Sequence, residues 1–543
     1  MAHETQVGKE IIGMLMFSMY PEPCTIFREY IQNAYDSIRL AVDGDADGKT
    51  LLASLDDGII YINTDKSTKT ITIKDNGVGI PMAQAEQRLK DIGKSIKRYL
   101  RSLQKQQAGW FGVGRLVGAG YCRKLIFRTT AFGENFATEL SFDVDAIRNI
   151  LYDDLVDMEA GKVIDTTTTF RDDINASADE HWFEVVLCDI LPDYSSLLDH
   201  KTIKNYVTQV APLAYDMMFK RLIKKAGEET KKRFETADYI RINLNDDTDL
   251  KKAYSDIIEG TSDSIEGISS FEIKEKDTVY AWGWYGLTRF TKAIESTEAS
   301  DLTRGFRLRC QNILVGDLNY FGGKQYFSEA RGNEYFNGEV HIVDPRISPT
   351  SDRSDLEPSP ESLKLKELLK EFFSKKLQPV YKNASTAKKA IEHYTEAIAK
   401  IEEVKEQETS STFTQEVKDE KIKEYNEIKD KANSDFTTLL NRKGKEETPE
   451  GVKQVIELYI KAAQDDNVGI VSEPSPTTPK KKKKEEQQED TLATKIESLS
   501  TRYSSKQISF LKKCFKLMDK FYAKSNPDLI KSIQYSIVNG LLN

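Results

Sequence analysis

Arg28-Glu29-Tyr30-Ile31-Gln32-Asn33-Ala34-Tyr35-Asp36-Ser37 is the stretch from which the fold is read. On a helix Glu29, Asn33 and Asp36 fall at i, i+4 and i+7 and share one face. Ile26, Ile31, Ile38 and Leu40 leave that polar stripe distinct from the apolar one. A carboxylate, a carboxamide and a second carboxylate in line suit an octahedral Mg2+ with a water beside it. That ion takes oxygen ligands, few of them from protein and the rest from phosphates and water. An exposed helix face would carry the same pattern, so this stretch needs its neighbours.

About forty residues on, a strand-like run enters Asp75-Asn76-Gly77-Val78-Gly79-Ile80. Its glycines allow a turn with backbone close to a ligand, and an aspartate at a strand end can accept from an exocyclic amine. A third element, Gly109-Trp110-Phe111-Gly112-Val113-Gly114, opens a helix-compatible segment. Such a turn points backbone N–H groups at a phosphate. It is not a Walker loop, because no Lys-Ser/Thr pair follows the glycines. Between the second and third elements, Asp91-Ile92-Gly93-Lys94-Ser95 begins a basic, glutamine-containing stretch of the kind that forms lids.

These three elements, in order and at this spacing, resemble the GHKL ATPase superfamily of gyrase, the ninety-kilodalton heat-shock chaperones, histidine kinases and MutL. The likeness is nearest to the bacterial heat-shock chaperones, then to the Microrchidia ATPases. It covers about residues 10–195. It implies an α/β class: a Bergerat-type α/β sandwich binding ATP and Mg2+, a second α/β transducer domain and a helical C-terminal region. It also implies roles. Glu29 would be the general base and Asn33 would hold Mg2+, with Asp36 on the same face. Asp75 would accept from the adenine amine, with Gly77, Gly79 and Ile80 against the base. Lys94 and Ser95 would belong to the lid, and Gly109, Gly112, Val113 and Gly114 would contact phosphates. Two departures stand out. Phe183 sits where the family places a threonine, so either the adenine-side water network differs or Thr168 substitutes from the neighbouring strand. Arg115 follows Gly114 where an aromatic is usual.

A second, weaker resemblance covers about residues 200–375. Ile347-Ser348-Pro349-Thr350-Ser351-Asp352-Arg353-Ser354-Asp355 looks like the chaperone loop that brings an arginine to the γ-phosphate. Arg353 is the expected residue, since phosphoryl transfer depends on charge stabilisation. The competing expectation is a surface pair with Asp352 or Asp355.

The rest of the chain bounds the function. Its 543 residues, 39% hydrophobic and 30% charged, suggest several modules, part of them extended or helical. The expected divisions are 1–195, 196–375, a helical hairpin or coiled coil over 376–445, a linker over 446–490 and a basic helical tail over 491–543. Helices are expected near 5–19, 24–42 and 358–376. Strands are expected at 58–63, 70–74, 124–130, 137–142, 166–171, 183–187, 278–286, 305–315 and 339–343. The net charge of −9 argues against general nucleic-acid binding. The tail carries nine Lys/Arg against three acids, which leaves DNA open as a target. Scattered cysteines, no apolar run of spanning length and no leader-like N-terminus suggest a cytoplasmic protein. The expected protein is a homodimeric ATPase clamp acting on a protein client. A DNA-binding clamp of the Microrchidia or MutL kind, or a nucleotide-gated scaffold, is the alternative. A histidine kinase is disfavoured, because only His3 precedes the first element.

Overall fold

A computed structural model describes residues 7–44, 48–93, 114–406, 414–445, 447–465, 496, 503, 505–522, 533–534 and 536–538. Met1–Val471 form one compact unit and Ser472–Asn543 another.

The strands of the first sheet are β1 (Ile59–Asp65), β2 (Thr70–Asp75), β3 (Cys122–Thr130), β4 (Phe136–Asp143), β5 (Thr168–Asn175), β6 (Trp182–Ile190) and β7 (Arg241–Leu244). They lie in the order β5-β4-β3-β6-β2-β1-β7. All neighbours are antiparallel except β1 and β7. Alternation along β2 buries Ile71, Ile73 and Asp75 on one face, because side chains two apart share a face. The same period that builds the core therefore turns the Asp75 carboxylate inward. The helix Thr25–Asp43 packs into that core with Ile26, Phe27, Tyr30, Ile31, Ala34 and Ile38, together with Ile60, Ile62, Leu125, Phe127, Val185 and Leu187. Burying a side chain of this size contributes roughly 1.5–3 kcal/mol, so the helix is held mainly by this face.

The second sheet comprises β8 (Gly267–Glu275), β9 (Thr278–Leu287), β10 (Gly305–Cys310), β11 (Ile313–Val315) and β12 (Asn337–Ile342), in the order β11-β10-β12-β9-β8. Trp282 and Trp284 face one apolar cluster with Phe219, Leu222 and Phe234. Ala281, Tyr285 and Leu287 face another with Leu365, Leu369 and Phe373. Helices thus cover both faces, which explains why β9 is apolar almost throughout.

Several expectations are corrected. The 305–315 run is two strands, not one. Gln311 and Asn312 both have positive φ (52° and 60°), as a two-residue hairpin turn requires, and Asn tolerates that region. The division expected at 195/196 cuts across the first sheet, since β7 pairs with β1. The division at 375/376 also fails, because Val380, Tyr381, Ala384 and Ala387 of the helix Gln378–Glu406 belong to the second core. The expected linker over 446–490 begins with the helix Glu450–Asp465, whose Val452, Val455, Ile456 and Tyr459 join that core too. The strand expected at 166–171 begins only at Thr168, because Ala160–Thr167 is helical.

The helices Gln378–Glu406 and Gln415–Lys443 pack against each other. In the second unit Ser505–Tyr522 is a helix, and Phe515 clusters with Ile496 and Val538. No described helix is long and apolar enough to cross a membrane.

Candidate active site

The Thr25–Asp43 helix brings Glu29 and Asp36 into the interior, 4% and 1% exposed, with Asn33 half-buried between them. The glycine-rich turn Gly114–Gly120 is fastened to this helix through Tyr30, whose hydroxyl donates to Arg115 O (2.9 Å) and accepts from Gly118 N–H (3.0 Å). Gly114 stands directly against the carboxylate. A Cβ there would lie 2.5 Å from Glu29 Oε2, so any side chain at this position would push the carboxylate aside. Arg115, the departure after the glycine, is occupied elsewhere: its Nη2 donates to Asp91 O. Burial lowers its pKa to about 10. Lys94, Ser95, Gly109, Gly112 and Val113 lie outside the described residues.

Asp75 ends β2 beneath the helix, 4% exposed. Its Oδ1 accepts from Gly77 N–H (2.8 Å). Burial pushes its pKa up to about 7, against the hydrogen bonds from Gly77 and Ser37, which pull it down. Gly79 has φ +66°, and a Cβ would lie 2.0 Å from Thr130 O, so both conformation and space demand glycine. Ile80 N–H donates to Thr129 Oγ1 (2.8 Å), and that hydroxyl donates to Trp182 O (3.0 Å).

Phe183 pairs with Asp75 on one side and Thr129 on the other. Thr168 is not the substitute threonine. It sits on β5 opposite Phe142, in the same cross-strand row as Leu125, Leu187 and Ile71. That row is four residues along β2 from Asp75, and the Thr168 hydroxyl donates to Ile164 O (2.8 Å). The threonine that does share the Asp75 row is Thr129, which the sequence reading missed; the 124–130 strand register is the signal that places it. His181, also missed, holds the loop through Nδ1 and Gly77 O (2.7 Å). Because the carbonyl can only accept, Nδ1 carries the proton.

From the loop after β12 comes Arg353, 2% exposed. Its Nη1 donates to Gln32 Oε1 (2.9 Å), Nε to Leu314 O (3.2 Å) and Nη2 to Cys310 O (3.0 Å). Gln32 lies on the helix of Glu29, Asn33 and Asp36. Arg28 reaches the other way, its Nη2 donating to Asp352 O (2.6 Å). The surface-pair expectation for Arg353 is not what is found: the Asp352 carboxylate accepts from Thr350 and Ser354, and Asp355 from Tyr320 and Lys366. Arg353 has φ +54°, a conformation that costs a non-glycine residue about 1 kcal/mol or more and gathers at functional sites.

Among the described residues no group of three His, Cys, Asp or Glu side chains is arranged to hold a metal. An Mg2+ here would take Asn33 from the protein and draw its other ligands from phosphate and water, as that ion does at nucleotide sites. The half-buried carboxamide between two buried carboxylates fits this.

Residues 25–169 match the family described as "Histidine kinase-, DNA gyrase B-, and HSP90-like ATPase". The chain is similar to proteins named chaperone protein HtpG. The one from Ruthia magnifica is 30% identical over 118 residues, 20% of this chain and 19% of that protein. The one from Wigglesworthia glossinidia brevipalpis is 31% identical over 136 residues, 23% and 21%. The one from Francisella tularensis subsp. novicida is 29% identical over 150 residues, 26% and 24%. The aligned part thus spans about a fifth to a quarter of these relatives' length. The family matched over residues 25–169 is the one that the Arg28–Ser37 and Asp75–Ile80 motifs resemble.

Proposed function

We propose that the chain binds ATP with Mg2+ against the Thr25–Asp43 helix, hydrolyses it, and uses the cycle to change the arrangement of its two sheets. The observation that carries this reading is Arg353: a buried guanidinium from the loop after β12 meets the helix that bears Glu29, Asn33 and Asp36. A cation delivered from a second domain to the reacting phosphate supplies what phosphoryl transfer needs, namely positioning and charge. Arg353 is held by carbonyls of the β10–β11 hairpin and by Gln32. A γ-phosphate would therefore have to outcompete Gln32 for Nη1, which links nucleotide state to the contact between the domains.

The other roles follow from place. Glu29, beside Gly114, takes the proton of the attacking water. Asn33 holds Mg2+. Asp75 accepts from the adenine amine, and Gly77, Gly79 and Ile80 shape the wall beside it. Gly109, Gly112, Val113 and Gly114 offer backbone N–H groups to phosphates, and Lys94 and Ser95 close over them. The relatives' printed name, chaperone protein, favours a protein client, and a homodimer is part of the same proposal. The basic 491–543 segment favours DNA as the second reading.

Steady-state ATP hydrolysis by the wild type and by Glu29→Ala tests the proposal. Loss of a positioned base lowers turnover by about 100- to 10,000-fold while ATP still binds. Equal turnover in the two proteins would refute the role of Glu29. A wild type that binds ATP without turning it over would make the chain a nucleotide-gated scaffold.

A further inference from the structure

Tyr20 is a buried hydroxyl that the mechanism above leaves unused. It stands at the break before the Thr25–Asp43 helix, 6% exposed, with its ring in the first core. Its backbone is fixed, because Tyr121 donates its hydroxyl to Tyr20 O (2.6 Å). Its own hydroxyl oxygen makes no hydrogen bond among the described residues. Burying such a group without a partner is unfavourable, and in a well-packed core it calls for an explanation.

The surroundings supply one. A Cβ added at Gly114 would lie 2.5 Å from Glu29 Oε2 and 3.7 Å from the Tyr20 hydroxyl. The carboxylate and the phenol thus both border the same bare glycine backbone. Burial, with the nearby Glu29 charge, keeps the phenol protonated far above neutral pH, although Arg28 works against this. The group is therefore a neutral hydroxyl that can accept one hydrogen bond and donate another.

We propose that Tyr20 is a second orienting group for the attacking water, acting opposite Glu29. The inference rests on the ATPase reading given above. A water held between these two groups donates one hydrogen to Glu29 Oε2 and the other to the Tyr20 oxygen, which leaves its lone pair directed at the terminal phosphorus. The phenolic O–H is then free to donate to a γ-phosphate oxygen. As the water oxygen bonds to phosphorus, the bond to the ADP oxygen breaks and ADP leaves with the electron pair. The water proton passes to Glu29. Tyr20 neither gains nor loses a proton; it narrows the orientations of the nucleophile, and orientation alone can account for large rate factors.

The test is Tyr20→Phe in the full chain. It is compared with the wild type and Glu29→Ala for kcat, KM for ATP, ADP affinity and melting temperature. The expected result is a kcat lowered about tenfold or more, with KM and ADP affinity essentially unchanged. The melting temperature should be equal or higher, since the lost hydroxyl had no partner. A Tyr20→Phe kcat equal to that of the wild type, with Glu29→Ala inactive, overturns the role of Tyr20 and leaves the ATPase reading intact. A lowered melting temperature with matching losses of kcat and ADP affinity makes Tyr20 structural and overturns it as well. A wild type without hydrolysis removes both readings together.

Discussion

Asp75 offers a test in which stability and binding move in opposite directions. Its carboxyl has a pKa near 7 in the folded protein against an ordinary 3.8. Below a pH of about 4 the group is protonated in both folded and unfolded chains and has no effect. As pH rises, the unfolded chain gives up the proton first, so the fold loses stability until about pH 7. The full loss is about 4 kcal/mol.

Asp75→Asn removes this penalty and keeps an acceptor for Gly77 N–H, so the ligand-free protein should melt at a higher temperature at pH 8. The remaining NH2 faces the adenine amine donor to donor, which leaves a buried group unsatisfied at a cost of about 1–3 kcal/mol. Nucleotide affinity should therefore fall by about 5- to 150-fold. In the wild type, binding should draw a proton out of Asp75, and affinity should weaken by up to tenfold per pH unit below about 7. Calorimetry of ADP binding between pH 6 and 8.5, in buffers of different ionisation enthalpy, reads both affinity and proton release. Affinity independent of pH with no proton released, or wild-type affinity in Asp75→Asn, would refute the pocket assignment.

Arg353→Ala should slow ATP turnover by about 100-fold or more and leave ADP affinity nearly unchanged; equal losses for ATP and ADP would make Arg353 a structural residue. Gly114→Ala places a methyl 2.5 Å from Glu29 Oε2 and should abolish turnover, whereas Thr168→Ala, on the far row of the sheet, should leave nucleotide affinity unchanged in the same titration. Light scattering of the full chain with ATP should report a dimer. A monomer whose specific activity is independent of concentration would contradict the clamp.

The local chemistry was legible because each element announces itself. The i, i+4, i+7 spacing of Glu29, Asn33 and Asp36 needs only a helix, and the Ile71–Ile73–Asp75 alternation needs only a strand. Register was not legible. Thr168 and Thr129 are both strand threonines, and only the pairing of β3 with β6 shows which one shares the Asp75 row.

Position along the chain also misled. β7 returns to the first sheet after three helices. The Glu450–Asp465 helix follows a polar stretch, yet its apolar face closes the second core. The hydrophobic stripe of Gln378–Glu406 packs on that core and on the Gln415–Lys443 helix. Arg353 was named from its loop, but the partner it meets on the Thr25–Asp43 helix, Gln32, carries no signal of its own beyond lying between Glu29 and Asn33.

The central claim is that the two sheets build a single hydrolytic site, with Glu29 and Arg353 acting on the same phosphate. The most direct measurement is kcat at saturating ATP and Mg2+ for the wild type, Glu29→Ala, Arg353→Ala and the double variant. Groups that act together on one transition state are strongly non-additive. The account predicts a double variant about as slow as the slower single. A double variant slowed by the full product of the two single effects would contradict it.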